Sequence, residues 1–235
     1  MNMDEKKIAL LYFSRQASAE SRKKRWFSGN SSGKNRALAS SLILQSLKVV
    51  QQSGFPVFHF HEGNQKGRTF GERLANAYQE VFDLGYDAVI ATGNDTPEIA
   101  AVNWQAVREQ LNAGNCVLGP SFRGGTYLIG LTVEAFQKNA FKQLPWQTNK
   151  LLVALQQFCE RPAHAPIILE TLRDLNSYHD LIKVVKTGNI AIWLCQKIRQ
   201  LLQNLVPGNA SPDILSNTTL LINMPFRAPP VFHIV

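Results

Sequence analysis

Residues Asn115–Leu131 read NCVLGPSFRGGTYLIGL, and this stretch decides the fold. Two short apolar runs, Cys116–Leu118 and Tyr127–Leu131, flank a loop that contains a Gly-Pro step and the pair Gly124-Gly125. Short apolar runs bounded by glycine and proline predict two buried strands. The glycine pair permits backbone conformations that a side chain would exclude, and it lets a ligand approach the backbone closely.

Strand-like and helix-like segments alternate along the rest of the chain. The predicted strands include Ile8–Phe13, Pro56–Phe60, Tyr86–Ala91 and Pro166–Leu169. The predicted helices are 34–52, 70–84, 97–112, 133–139, 148–160, 177–186 and 188–205. This alternation predicts an α/β fold with a mixed, mostly parallel sheet and helices on both faces. We expect one domain over residues 1–206, followed by a C-terminal extension over 207–235 whose placement the sequence does not indicate.

Two loops follow predicted strands and are candidates for a common site. The first is Gly93–Pro97, with the sequence GNDTP, and the second contains Arg123 and the glycine pair. Ligands of parallel sheets bind beyond the carboxyl ends of the strands, so both loops are suitably placed. Asp95 has two interpretations, as a site residue or as the cap of the helix that follows it.

A third candidate segment is the polar loop 14–33, which contains the basic row Arg22–Arg25. Such a row has three interpretations: a solvated surface run, a phosphate-binding loop, or a nucleic-acid surface with Trp26 and Phe27 as stacking groups. Nucleic acid is the less favoured partner, because no complete nucleic-acid-binding motif accompanies the row.

The composition bounds the class of protein. The chain has 235 residues, of which 45% are hydrophobic, and this content excludes a wholly disordered chain. The formal net charge of +8 favours an anionic partner, which could be a phosphate, a nucleotide, a nucleic acid or an anionic membrane. The three cysteines, Cys116, Cys159 and Cys195, form no metal-binding pattern and indicate a reducing, cytoplasmic environment. The apolar run Ile8–Phe13 is too short to span a membrane. The sequence does not indicate an oligomeric state.

Six short motifs occur in a consistent order between residues 7 and 185. They are Phe13-Ser14-Arg15 followed by Lys23-Lys24-Arg25-Trp26, then Gln65 and Gly67 with Phe70–Arg73, then Gly93–Pro97, then Gly119–Leu131, then Trp146-Gln147-Thr148, and finally Asp174-Leu175-Asn176 with Asp180. In this order the chain resembles a bacterial family of poorly characterised proteins of glycosyltransferase-A type, in the nucleotide-diphospho-sugar transferase superfamily. The corresponding family patterns are FAK-x-P-x-x-G-x-x-KTRL, Q-x-x-G-x-LGER, GSDCP, GPA-x-DGGYYLIGL, Trp-Ser-Thr and DxD-x-x-x-D.

The resemblance implies a Rossmann-like, three-layer glycosyltransferase-A fold and a transferase that acts on a nucleotide-diphospho-sugar, of the glycosyltransferase or nucleotidyltransferase type. It implies a catalytic role for Asp95 and an acceptor side formed by Trp146 and Tyr127. We predict a catalytic role for Arg123 as well, at the position where the family has an acidic residue. The residues that it implies for nucleotide or phosphate binding are Arg15, Lys23, Arg25, Gly93, Asn94, Gly124 and Gly125. Asp95, Asp174 and Asn176 would be the metal ligands.

Departures from the family pattern affect the metal. The acidic residue before the glycine pair is replaced by Arg123, and the second acid of the late motif is replaced by Asn176. Two hypotheses follow. In one, Mg²⁺ or Mn²⁺ is dispensable because the Arg123 guanidinium pairs with phosphate oxygens. In the other, catalysis has been lost, and the protein is an inactive nucleotide-binding or regulatory relative.

Overall fold

The structure, a computed structural model, describes residues 5–29, 31–161, 164–187 and 189–203. These residues form a six-stranded sheet with the strand order β2-β1-β3-β5-β4-β6. The strands are β1 (Ile8–Phe13), β2 (Val57–Phe60), β3 (Ala88–Thr92), β4 (Val117–Pro120), β5 (Thr126–Thr132) and β6 (Ile167–Ile168). Strand β5 runs antiparallel to both of its neighbours, whereas the pairs β1–β2, β1–β3 and β4–β6 are parallel.

Eight α-helices and one 3-10 helix are described. The α-helices are α1 (Ala17–Lys23), α2 (Ser32–Gln51), α3 (Phe70–Asp83), α4 (Trp104–Asn112), α5 (Lys138–Lys142), α6 (Leu151–Cys159), α7 (Tyr178–Thr187) and α8 (Ile192–Gln203), and the 3-10 helix is Pro97–Ala101. None of the helices in the described part of the chain is long and apolar enough to cross a membrane.

The sheet is buried on both faces. Along β1, Ala9 and Leu11 pack in one core cluster with residues of α3, α5 and α6. Leu10 and Tyr12 pack in a second cluster with residues of α2 and α4. Successive side chains of a strand point to opposite faces, so a continuous apolar strand such as β1 requires helices on both sides. The result is the three-layer α/β arrangement predicted from the sequence.

A third core cluster lies away from the sheet. It joins α2 to α7 and α8 and includes Trp26 and Phe27, which are both buried. The Trp26 indole Nε1 donates a hydrogen bond of 2.8 Å to the carbonyl oxygen of Leu175. The interpretation of these two aromatic residues as exposed stacking groups for nucleic acid is therefore wrong, because their rings pack in the core.

Three predictions of local structure are also wrong. The segment predicted as the loop 14–33 contains helix α1, and the helix predicted over 97–112 divides into the 3-10 helix and α4, which begins after the cap residue Asn103. The helix predicted over 133–139 is instead the shorter α5, five residues further along the chain. The predicted C-terminal extension 207–235 lies outside the described residues.

Candidate functional site

A cleft with a volume of about 460 Å³ opens at the edge of the sheet where β1, β3 and β4 end. Its walls come from the loop and helix after β1, the loop after β3, the β4–β5 loop and the segments 146–149 and 174–176. In open α/β sheets this edge is where ligands bind, because the loops that follow parallel strands converge there.

The charged residues of the cleft are mostly cationic. Five basic side chains and three carboxylates line it: Arg15, Lys23, Lys24, Arg73 and Arg123, with Glu20, Asp95 and Asp174. Groups of one sign that face a concave surface concentrate the electrostatic potential there. This excess of positive charge favours an anionic ligand.

Four of these residues, Glu20, Lys24, Asp95 and Asp174, form what we call the floor cluster. Lys24 is the C-cap residue that follows α1, and its Nζ lies 2.6 Å from Asp95 Oδ2 and 3.7 Å from Glu20 Oε1. Glu20 also pairs with Arg15, whose Nη1 donates to Glu20 Oε2 at 3.3 Å. Residues 20 and 24 are four apart and therefore lie on the same side of α1, which brings the acid and the ammonium together.

The floor cluster shifts the titration of its members in opposite directions. Burial lowers the pKa of Lys24, but the carboxylates of Asp95 and Glu20 outweigh it and raise that pKa above its ordinary value. Burial alone would raise the pKa of Asp95, and the adjacent Lys24 ammonium instead brings it below its usual value. Both groups are therefore charged at neutral pH, and they form an ion pair.

Asp174 differs from its neighbour Asp95. Thr96 Oγ1 donates a hydrogen bond of 2.7 Å to Asp174 Oδ1, and the Leu175 amide donates to the Asp95 carbonyl oxygen at 2.8 Å, which holds the segment 174–176 against the loop after β3. Burial and the negative charge of Asp95 raise the pKa of Asp174 to about 6. Two carboxylates that share one site titrate apart in this way.

Arg123 and Asp180 form a second ion pair, which we call the rim pair. Arg123 Nη2 donates to both carboxylate oxygens of Asp180 at 2.9 Å. Asp180 Oδ2 also accepts hydrogen bonds from the Asn176 amide, the Ser177 amide and the Ser177 hydroxyl, at 2.8–3.0 Å. Burial raises the pKa of Asp180, but these donors and the Arg123 charge together lower it below its usual value. The buried carboxylate thus holds Arg123 at the edge of the cleft.

The two glycines of the β4–β5 loop have different functions. Gly124 has a φ of +76°, and a Cβ atom there would overlap the backbone oxygen of Asn149. Gly124 therefore permits the segment 146–149 to pack against the loop, although it does not line the cleft itself. Gly125 does line the cleft, as the prediction of a close backbone approach requires.

Trp146 and Tyr127, the two residues predicted for the acceptor side, both line the cleft. The Trp146 ring packs against Phe70 and Phe141, and its Nε1 donates a hydrogen bond of 2.9 Å to the Phe141 carbonyl oxygen. Tyr127 is buried, with its hydroxyl donating to the Glu170 carbonyl oxygen at 3.1 Å. Both rings are held rigidly, which suits a wall of the cleft.

Most of the residues singled out in the sequence converge on the cleft. Those that line it are Arg15, Lys23, Gly93, Asn94, Asp95, Arg123, Gly125, Tyr127, Trp146, Asp174 and Asn176. Arg25 is exposed and, like Gly124, does not line the cleft, so its prediction as a phosphate contact finds no geometric support. Their chemical roles stay predictions.

The interpretation of Asp95 as a simple helix cap finds no support either. The 3-10 helix that follows has Thr96 as its cap residue, with no side-chain capping hydrogen bond, and the Asp95 carboxylate instead pairs with Lys24. Three charged residues of the cleft were not predicted as site residues: Glu20, Lys24 and Arg73. The four-residue spacing of Glu20 and Lys24 was the available signal, but it is meaningful only within a helix, and α1 was not predicted.

The oxygen-bearing side chains predicted as metal ligands do not fit a divalent metal ion. Mg²⁺ and Mn²⁺ require several oxygen ligands with unengaged lone pairs. Of the three predicted ligands, Asp95 is paired with the Lys24 ammonium, Asn176 is uncharged, and one oxygen of Asp174 accepts a hydrogen bond from Thr96. The set therefore offers a single carboxylate, Asp174, that is not paired with a cation among the described residues. Within the described residues, no group of three or more His, Cys, Asp or Glu side chains is arranged to hold a metal ion.

Comparison with known proteins agrees with this geometry at the level of the fold. The chain is similar to a solved structure from Desulfovibrio desulfuricans G20, described as a "putative nucleotide-diphospho-sugar transferase", with 18% sequence identity and a TM-score of 0.67. The alignment covers 85% of this chain and 98% of that chain. The class that the fold defines is therefore a three-layer α/β protein with the fold of that structure, which confirms the predicted fold class.

Residues 40–148 match the family model described as "Uncharacterized protein conserved in bacteria (DUF2064)". This range contains the GNDTP loop and the stretch Gly119–Leu131, and it confirms the resemblance to a poorly characterised bacterial family. A solved structure of Rv0371c from Mycobacterium tuberculosis H37Rv is also similar, with 11% identity, a TM-score of 0.47 and coverage of 76% of this chain and 98% of that one. No curated protein matches the sequence significantly.

Proposed function

We propose that this protein is a transferase that binds a nucleotide-diphospho-sugar in the cleft at the carboxyl edge of its sheet. The observation that carries the proposal is the excess of cationic side chains in a cleft of about 460 Å³, a volume within the usual range for a small-molecule site. The similar structure from D. desulfuricans, described as a "putative nucleotide-diphospho-sugar transferase", supports the same substrate class. The unpaired cysteines and the lack of a membrane-spanning helix in the described residues are compatible with a cytoplasmic location.

The residues of the cleft divide between the two ends of such a substrate. Arg15 and Lys23 lie on the segment after β1 and would bind the phosphates, while Gly93, Asn94 and Gly125 offer backbone and amide groups nearby. The Asn94 Nδ2 group is buried and has no hydrogen-bond partner among the described residues, so it is available to a ligand. Trp146 and Tyr127 would form the acceptor side.

Transfer of the sugar leaves a diphosphate on which negative charge develops. Fixed cations that face this charge stabilise the transition state, because they need no reorganisation during the reaction. Arg123 fits this role: Asp180 engages only its Nη2, so Nε and Nη1 have no hydrogen bond within the described residues. Arg123 is thus oriented by one carboxylate while it still offers donors to a phosphate.

A second function is favoured by the ion pair between Lys24 and Asp95. A carboxylate engaged in an ion pair is a poor base or nucleophile, since the ammonium stabilises its charged form. The alternative is therefore an inactive nucleotide-binding or regulatory relative that uses the same cleft. The two functions differ in turnover and not in binding.

The test is binding followed by turnover with the full chain. We expect isothermal titration calorimetry to show binding of at least one member of a panel containing UDP-glucose, dTDP-glucose, ADP-glucose, CDP-glucose and GDP-mannose. Arg15→Ala should weaken that binding about tenfold, through loss of a charge-assisted hydrogen bond. The matched control is Arg36→Ala, an exposed arginine of α2 outside the cleft, which should leave the affinity unchanged.

Release of nucleoside diphosphate from the bound sugar nucleotide, followed by chromatography, then separates the two functions. Release above the uncatalysed rate supports the transferase. Binding without release, in the presence of sugar and lipid acceptor mixtures, supports the inactive relative. A protein that binds no member of the panel contradicts both.

A further inference from the structure

The ammonium of Lys24 contacts two carboxylates of the floor cluster, those of Asp95 and Glu20. Its Nζ is 2.6 Å from Asp95 Oδ2 and 3.7 Å from Glu20 Oε1, and its side chain is 16% exposed. The residue also lines the cleft, as do Glu20, Asp95 and Asp174. One ammonium thus carries the positive charge at the centre of the floor cluster.

The position of this ammonium opposes a divalent ion at the same place. Like charges a few ångströms apart repel strongly where water is partly excluded. A metal that used Asp95 would have to displace Lys24 from a short hydrogen bond and leave the ammonium, in a mostly buried position, with only its longer contact to Glu20. Breaking such a pair is costly, because the remaining charge loses its compensation.

An ammonium has three donors, and here only part of that capacity is used. The Lys24 Nζ makes one short hydrogen bond, to Asp95, and a longer ionic contact with Glu20. A phosphate oxygen in the cleft could accept a further hydrogen bond from the same nitrogen. Asp95 and Glu20 would then keep the ammonium protonated and fixed in position.

We propose that Lys24 is the resident cation of this site, that it contacts the diphosphate of the bound nucleotide, and that the protein binds nucleoside diphosphates without a divalent metal. Asp95 is then a positioning residue for Lys24 and not a metal ligand. This inference rests on the proposed function, since it requires that the cleft accept a nucleotide diphosphate. In this inference Lys24, on the cleft floor, neutralises negative charge of the diphosphate, in addition to the contribution proposed for Arg123 at the rim.

The first test compares nucleotide binding in EDTA with binding in MgCl₂ or MnCl₂, using the full chain and the probes UDP, dTDP, ADP, CDP and GDP. We expect the affinity for the best probe to agree within about threefold between these buffers, because no metal takes part. In EDTA, Lys24→Met should weaken binding roughly tenfold to a hundredfold, the range for loss of hydrogen bonds to a charged group. Lys48→Met, an exposed lysine of α2 outside the cleft, is the matched control and should bind as the wild type does.

The second test uses Mn²⁺ alone, measured by electron paramagnetic resonance without nucleotide. We expect the wild type to bind no Mn²⁺ at the floor cluster and Lys24→Met to gain a site, because Asp95 is released there. The double variant Lys24→Met with Asp95→Asn should lose that gain. Thermal unfolding of each variant establishes that it is folded, and Lys24→Gln replaces any methionine variant that is not.

The outcomes separate this inference from the proposed function. Nucleotide binding that disappears in EDTA, or wild-type Mn²⁺ binding that Asp95→Asn removes, would overturn the resident-cation assignment and leave the proposed function standing. Equal binding by the wild type and Lys24→Met would also overturn it. No binding of any probe in any buffer would overturn the proposed function, and with it the inference.

Discussion

The floor cluster and the rim pair are built in opposite ways. In the pair Lys24–Asp95 the cation is the less exposed partner, at 16% against 34% for the carboxylate. In the pair Arg123–Asp180 the carboxylate is 6% exposed and the cation 55%. In the rim pair the buried Asp180 carboxylate accepts hydrogen bonds from Asn176, Ser177 and Arg123, and it holds the exposed Arg123 at the edge of the cleft. In the floor cluster the mostly buried Lys24 makes one short hydrogen bond to Asp95 and keeps unused donors. Lys24 is therefore a cation fixed inside the cleft, whereas Arg123 is a cation oriented at its edge.

We expect the largest loss of stability from a substitution in the β4–β5 loop, which carries Arg123 of the rim pair. Gly124→Ala must accommodate a Cβ atom at a φ of +76° and against the Asn149 oxygen. Strain of the left-handed conformation and overpacking together should lower the free energy of unfolding by about 3 kcal/mol, measured by urea denaturation. Gly33→Ala is the control, since a Cβ there meets nothing within 4 Å. A change of similar size in both variants would show that the rim does not depend on this close packing.

The next largest effect is a difference in stability between variants of the two partners of the rim pair. Asp180→Ala leaves the Asn176 amide, the Ser177 amide and hydroxyl, and Arg123 without their acceptor, and we expect a loss of roughly 2–3 kcal/mol in stability. Arg123→Ala should cost under about 1 kcal/mol, because its side chain is largely solvated. Urea denaturation of both variants measures the difference. Equal losses would contradict the asymmetry of the pair.

A pH-dependent effect distinguishes Asp174 within the floor cluster. Its pKa of about 6 lies above that of an unfolded chain, about 3.9, so the folded state binds the proton more tightly and stability falls as the pH rises between these values. Asp174→Asn removes the ionisable group and with it the loss of folding stability that ionisation causes. We expect it to stabilise the ligand-free protein by roughly 1–2 kcal/mol above pH ~7, after allowance for partial solvent exposure, and to have no effect below pH ~4. Thermal unfolding across this range measures it, and a gain that persists at low pH would contradict the electrostatic cause.

The smallest effect concerns the two basic residues on either side of Lys24. Lys23 lines the cleft, whereas Arg25 is exposed outside it. Lys23→Ala should weaken binding of the best sugar nucleotide roughly fivefold, an exposed charge contact of about 1 kcal/mol, and reduce its salt dependence. Arg25→Ala should change neither quantity. An equal loss in both variants would indicate that long-range attraction, and not position, governs the contribution of this segment.

Much of the fold follows from patterns that are local in the sequence. The strand Ile8–Phe13 has the predicted bounds, and the stripe of apolar residues beginning at Phe70 gives α3 within two residues. The missed helix α1 has a physical reason. It has only seven residues, its sequence ASAESRK shows no apolar stripe, and its buried residue is Glu20, which pairs with Lys24 just after the helix. Short helices that depend on tertiary contacts cannot be recognised from periodicity.

The sequence predicted which loops form the site, but it did not predict which of their side chains contact one another. The expectation that Asp95 and Arg123 share one cleft agrees with the structure, since both follow strands that end at the same edge of the sheet. The ungapped resemblance to the family segment KTRL predicts Lys23 and Arg25 as phosphate contacts and places Lys24 at the threonine position. Only the end of α1 makes them different, by turning Lys24 inward and Arg25 outward.

By itself, the sequence determined the α/β class, the edge of the sheet that carries the site and the positive character of that site, because strand periodicity, loop order and net charge are local or additive properties. The tertiary structure decided which cation faces which carboxylate. It paired Lys24 with Asp95 and Arg123 with Asp180, residues 71 and 57 positions apart. The strength of an ion pair depends on the distance and burial that folding imposes, and neither quantity can be read from residue types along the chain.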